Sequence, residues 1–123
     1  MINCIIIEDE PLSVNILEEY IDRSEHLRLL YIFQSLSEGW DEIRKISESG
    51  ILIFNGLKYR NQKTTREQVE QMLQWGTKII FVTAYPKTDP LAKALLIDST
   101  IGYLPKPFSF NSFQKEVKKV VEN

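Results

Sequence analysis

Two apolar runs in the sequence end in opposite chemistry. CIIIEDE, residues 4–10, closes on three carboxylic acids, Glu8, Asp9 and Glu10, whereas GILIFNG, residues 50–56, closes on an amide and a glycine, Asn55 and Gly56. Two later runs bring a hydroxyl and an ammonium: FVTAY holds Thr83 and Ala84, and GYLPKPF holds Lys106 and Pro107. A strand-end aspartate such as Asp9 is the nucleophile a small phosphohydrolase needs, but the general acid of the usual D-x-D pattern would fall on residue 11, which is Pro11. Asn55 is closed to that chemistry, since an amide oxygen carries no formal charge and its carbonyl is a poor nucleophile. Asn-Gly is also the dipeptide most prone to deamidation, because glycine lets the next backbone nitrogen reach the side-chain carbonyl. Taken alone, the three acids read as a solvated turn that favours the positive N-terminus of a following helix.

Other reactive residue types are isolated. Cys4 is the single cysteine and lies inside an apolar run, so it packs as a small hydrophobe and forms no intramolecular disulfide. His26, flanked by Glu25 and Leu27, has no cysteine-histidine constellation that would make a zinc site, and is expected at the surface. Lys58, Arg60, Lys63 and Arg66 with Tyr59 form a basic segment, read as a solvated loop in preference to a polyanion contact. Trp40 and Trp75 are expected to cover a sheet, not to stack on a cofactor. A net charge of −2 and a pI near 5.5 supply no field for nucleic acid. Apolar runs fall far short of a membrane span, and no basic segment leads into a signal-type core, so the chain is expected to be soluble and cytoplasmic.

The elements that must position the four strand-end groups follow from hydrophobic period. The 123 residues suit one domain, 1–123, and 43% hydrophobic with 26% charged residues is ordinary globular usage. Asn3 to Ile7, Arg28 to Phe33, Ile51 to Phe54, Lys78 to Val82 and Ile101 to Leu104 read as strands. Between them lie helical stripes: Leu12, Ile16, Leu17, Tyr20 and Ile21; Leu36, Trp40, Ile43 and Ile46; Val69, Met72 and Leu73; Leu91, Leu95 and Leu96; and Phe110, Phe113, Val117, Val120 and Val121. Pro11 suits a first helical turn, Ser109 a cap of the last helix, and Gly50 and Gly76 the ends of the second and third. From Gln62 to Arg66 the chain is polar, so the third crossover should begin with an exposed loop.

Near-continuous apolar strands alternating with amphipathic helices imply an α/β sandwich: a parallel sheet covered on both faces and built from right-handed crossovers. In such doubly wound sheets ligands bind beyond the carboxyl ends of the strands. Four turns would then converge on one rim, bringing Glu8, Asp9, Glu10, Asn55, Gly56, Thr83, Ala84, Lys106 and Pro107 together.

IIIEDEP, FVTAY and GYLPKPF, in this order and spacing and with five strand-helix alternations, resemble the receiver domain of bacterial two-component response regulators, most nearly those of LytTR-type regulators. The similarity covers essentially the whole chain. It implies a flavodoxin-like (βα)5 fold with a five-stranded parallel sheet of order 2-1-3-4-5. It further implies that Glu8 and Asp9 are the acidic pair of a Mg2+ site, with residue 55 and the carbonyl of Leu57 as further oxygen ligands. Thr83 would bond a phosphoryl group and Ala84 leave room for it. Lys106 would pair with the acids and then with phosphoryl oxygens, with a cis bond to Pro107, and Tyr103 would report the state to partners.

Asn55 stands where that family has its phosphoryl-accepting aspartate. The ordinary transfer from a histidine kinase should fail there, Mg2+ binding should be weakened, and Glu8 and Asp9 should turn to Lys106. Gly56-Leu57-Lys58-Tyr59-Arg60 also lacks the family's methionine-proline pair and glycine turn. The resemblance therefore implies a degenerate receiver, not an enzyme, that signals through a protein partner. That partner would be a sensor kinase, an output protein or a second copy meeting the fourth helix, fifth strand and fifth helix. The alternatives are a conventional Mg2+-dependent receiver, with Asn55 as a variant or another acid such as Asp9 as acceptor, and the front part of a LytTR-type transcription regulator. Nothing within these residues reads DNA directly.

Overall fold

The computed structural model describes residues 1–58 and 64–122. Its elements are β1 (Ile2–Ile7), α1 (Pro11–Asp22), β2 (Leu27–Phe33), α2 (Leu36–Ile46) followed by a 3-10 turn (Ser47–Ser49), β3 (Ile51–Gly56), α3 (Arg66–Gln74), β4 (Lys78–Thr83), α4 (Pro90–Leu95), β5 (Gly102–Pro105) and α5 (Phe110–Val121). The strands form one parallel sheet in the order β2-β1-β3-β4-β5, the doubly wound order expected from the sequence.

Alternation along each strand sorts the apolar residues into two layers. Ile5, Ile7, Ile53, Phe81 and Tyr103 face Leu36 and Ile43 of α2, Val69 and Met72 of α3, and Ala92 and Leu95 of α4. Cys4, Ile6, Leu52, Phe54, Ile80, Val82 and Leu104 face Leu17 and Ile21 of α1 and Phe113 and Val120 of α5. Trp40 and Trp75 lie with ring centroids 4.9 Å apart over the first layer, as expected of sheet-covering residues. Cys4 is fully buried, and desolvation pushes its thiol up to about 12. His26 is exposed.

Local signals set the element ends. Pro11 occupies the first turn of α1, Ser109 caps α5 by accepting from Ser112 N, and Thr65 with Gln68 makes a reciprocal capping box on α3. Gly50 and Gly76 have φ of 79° and 85° after the second and third helical segments.

Several expectations need correction. Leu12 is exposed, because at 3.6 residues per turn it lies about 140° around α1 from Leu17. The sheet-facing position in that turn is taken by the buried Ser13, whose hydroxyl donates to Glu10 Oε1 at 2.9 Å. The sheet is not evenly covered: Tyr31 and Ile32 on the edge strand β2 are exposed, with the Tyr31 hydroxyl donating to Glu42. α4 spans only six residues and stops at Leu95, so Leu96 packs against the core from beyond the helix. β3 and β4 run past their expected ends, with Asn55 paired to Ile7 and Phe81 and Gly56 to Val82. Of the polar loop and basic segment, Tyr59, Arg60, Gln62 and Lys63 lie outside the described residues. No helix among the described residues is long and apolar enough to cross a membrane.

Candidate functional site

The carboxyl ends of β1, β3, β4 and β5 meet at one rim, and the most buried ion pair among the described residues lies there. Glu8 is 3% exposed. Its Oε2 accepts from the backbone nitrogens of Asp9 and Glu10 at 3.1 and 3.3 Å, and its Oε1 accepts from Lys106 Nζ at 2.7 Å. Lys106 is brought there by the end of β5, where its backbone nitrogen donates to Thr83 O at 2.7 Å and its bond to Pro107 is cis. Gly56 makes room for the carboxylate, since a Cβ at that position would come within 2.8 Å of Glu8 Oε1. Burial in the rim makes this pair dependent on both partners.

Asn55 sits next to this pair inside β3 and is fully buried. Its Nδ2 donates to Gly56 O at 3.3 Å and to Thr64 Oγ1 at 3.2 Å, tying the strand to the segment that enters α3. Its Oδ1 is buried and has no hydrogen-bond partner among the described residues. Leu57 follows with its side chain in the core and its nitrogen donating to Val82 O at 3.0 Å.

Asp9 departs from the expected pairing. Lys106 serves Glu8, while Asp9 Oδ1 lies 2.5 Å from Nζ of Lys58, on the segment following β3. The Lys58 hydrogen bond holds the Asp9 carboxyl below its ordinary value, partial desolvation opposing it, and the same bond raises Lys58. Glu10 is largely solvent-facing, as expected, with its Oε2 3.9 Å from Lys106 Nζ.

The third cluster joins β4 to β5. Thr83 is fully buried, and its Oγ1 accepts from Tyr85 N at 3.2 Å, while Ala84 is exposed. Tyr103 is turned inward at 5% exposure, with its hydroxyl donating to Tyr85 O and its backbone nitrogen donating to Glu116 Oε2 of α5 at 2.7 Å. Desolvation, with Asp89 nearby, raises the phenol above its ordinary value. The backbone of Tyr85 is thus the common partner of Thr83 and Tyr103. The sequence carries no signal for that link, because a backbone contact leaves no residue type to read. Glu116 was likewise missed, and Lys58, read as part of a solvated basic loop, was not foreseen as the partner of Asp9.

Mg2+ takes oxygen ligands in near-octahedral geometry. Both carboxylates that would hold it, Glu8 and Asp9, are each engaged by a lysine, and Asn55 offers only a neutral oxygen. No group of three or more His, Cys, Asp or Glu residues able to hold a metal occurs among the described residues. As arranged, the residues do not fit a divalent cation.

No protein-family model matches the sequence, and no curated protein does. Solved structures do match. A chain of the CheX–CheY–BeF3–Mg2+ complex from Borrelia burgdorferi aligns with a TM-score of 0.78 at 15% identity, over 98% of this chain and 89% of that one. A response regulator from Thermotoga maritima aligns at 0.77 and 13%, over 100% and 99%. The PhyR response regulator REC domain of Erythrobacter litoralis aligns at 0.70 and 23%, over 98% and 90%. At these identities the likeness is one of fold, and it extends over nearly the whole of each chain: this protein has the flavodoxin-like fold of response-regulator receiver domains.

Proposed function

We propose that the chain is a receiver-like domain of two-component signalling that cannot take a phosphoryl group at residue 55 and acts through protein contacts. One observation carries this reading. Asn55 lies fully buried at the centre of a rim that otherwise keeps an acidic turn, a buried threonine and a lysine on a cis-proline bond. An amide there forms no acyl phosphate, so a kinase has no acceptor at that position. With its acids held by lysines, the rim binds Mg2+ weakly at most. The domain is not an enzyme and works in the cytoplasm.

Its partner is a protein: a sensor kinase, an output protein or a second copy meeting the face of α4, β5 and α5. Tyr103 supports that face, being held inward by Tyr85 and bonded through its backbone to Glu116 of α5. The motif resemblance favours the LytTR-type branch, in which such a domain would regulate a DNA-binding output without touching DNA itself.

The test is incubation with acetyl phosphate and Mg2+, followed by intact-mass measurement of the native chain and of Asn55→Asp. The native chain should remain unmodified and the variant should gain a phosphoryl group. A stable adduct on the native chain, whether on Asp9 or elsewhere, would refute the reading and restore the conventional receiver.

A further inference from the structure

The contact between Lys58 and Asp9 belongs to neither the strand framework nor the Glu8–Lys106 pair. It joins the segment after β3 to the turn after β1, across the place where the acidic turn opens to solvent. The two side chains are 42% and 47% exposed, yet the Nζ–Oδ1 separation is 2.5 Å, a charge-assisted hydrogen bond. Lys106 takes Glu8 from the inner side. Each acid of the pair is therefore matched by an ammonium, and Asn55, with its orphaned Oδ1, contributes no charge.

We propose that Lys58 is a tethered cation: its ammonium takes the carboxylate a divalent metal would need and closes the rim to such ions, leaving the domain in a metal-independent state. The inference rests on the receiver-like reading above, since only that reading makes the acidic turn a metal position to be closed. The physical basis is competition. A divalent ion entering beside Asp9 must displace Lys58 from its hydrogen bond and then sit near two ammonium groups, and it gains only one formally charged ligand not buried against Lys106. The lysine is half-exposed and can swing into water, so the exclusion is moderate. A unit positive charge a few ångströms from a divalent ion in a water-like dielectric lowers its affinity by about tenfold. A second consequence is mechanical: the segment after β3 is clasped to the β1–α1 turn without any ligand.

The experiment measures Mn2+ binding, by the paramagnetic resonance signal of the free ion, to four chains of residues 1–123: native, Lys58→Met, Asn55→Asp and the double variant. Lys58→Met keeps the length and apolar stem of the side chain at a half-exposed position, and circular dichroism confirms its fold. Lys58→Met should bind Mn2+ about tenfold more tightly than the native chain, and the double variant should show a similar gain over Asn55→Asp. The second comparison gives a measurable baseline if binding to both Asn55 chains is too weak to titrate. A gain below roughly threefold in the Asn55→Asp background overturns the proposal, as does native binding equal to that of Lys58→Met. A phosphoryl adduct on the native chain would instead refute the proposed inability to take a phosphoryl group, and is read by mass, independently of Mn2+ affinity.

Discussion

Lys106→Met separates the Glu8–Lys106 pair from the packing around it. Removing one member of a buried ion pair costs about 3–5 kcal/mol, because the other charge stays buried without its partner. Here Lys106 keeps 20% side-chain exposure while Glu8 keeps 1%, so the two deletions are not equivalent. Without Lys106, Glu8 retains among the described residues the backbone nitrogens of Asp9 and Glu10 as donors, and the expected loss is about 2–3 kcal/mol. For a domain of this length that lowers Tm by roughly 8–12 °C. Without the Glu8 charge, in Glu8→Gln, Lys106 still reaches water and Glu10 Oε2 at 3.9 Å, and the amide oxygen still accepts from the backbone; about 1 kcal/mol is expected. The double variant should recover part of the Lys106→Met loss, with a coupling of at least about 1 kcal/mol. Urea unfolding of the four chains, read by m and midpoint, measures all three quantities. A Lys106→Met loss below about 1 kcal/mol, or a larger loss in Glu8→Gln than in Lys106→Met, would refute the claim that the rim buries Glu8 as a lysine-dependent anion.

Three further outcomes are expected. Asp9→Asn should cost at most about 1 kcal/mol at neutral pH, the pair being half-exposed. Because the folded Asp9 carboxyl lies below its ordinary 3.8, the native chain's advantage is full above that value and disappears as pH falls through the lowered one, which urea midpoints between pH 7 and 2 will show. Tyr103→Phe removes the hydroxyl donor to Tyr85 O and should cost about 1 kcal/mol. The native phenol is raised above its ordinary 10, so Tyr103 should contribute stability that is lost as pH climbs past 10, which urea midpoints taken across that pH will show. Asn55-Gly56 should resist deamidation while folded, because Asn55 is fully buried and Gly56 is still in β3; peptide mapping should detect it only after incubation in denaturant.

How far the sequence was legible depended on whether a feature is written in residue type or in three-dimensional register. The five strands and the convergence of Glu8, Asn55, Thr83 and Lys106 were legible because burial imposes apolar runs and the rim lies at their ends, whereas the sheet order followed only from the resemblance to receiver domains. Leu12 was misplaced because a stripe of apolar residues around 100° wide does not say which edge of it meets the sheet. The exposure of Tyr31 and Ile32 was not foreseen, because an edge strand and a central one share the same composition and the sheet was expected to be covered on both faces. The Asp9–Lys58 contact was hidden because its partners are 49 positions apart by their numbering and one lies in a run of polar residues. Glu116 was hidden because its partner is a backbone nitrogen of β5, and the sequence records no donor there.

Asn55 has a structural consequence as well as a chemical one. It lies beside Ile7 in the β1–β3 register, one residue short of Glu8, in a fully buried position. An aspartate there would add a buried carboxylate to Glu8, Asp9 and Glu10 in a rim whose two lysines are already engaged, and an unpaired buried anion costs several kcal/mol. The amide replaces that cost with one orphaned acceptor, about 1–3 kcal/mol, and keeps two donor bonds through Nδ2. With Asn55, Glu8 faces Lys106 and Asp9 faces Lys58 while Glu10 is half in solvent, so the two acids at the metal position are paired without an ion. A rim paired in this way without a ligand is not driven to change when one arrives. On the reading proposed here, the loss of the phosphoryl acceptor and the lysine clasp then act in the same direction: both leave the α4–β5–α5 face in a single arrangement. Its output would follow the amount of protein and the partner present, and not the phosphorylation state of residue 55.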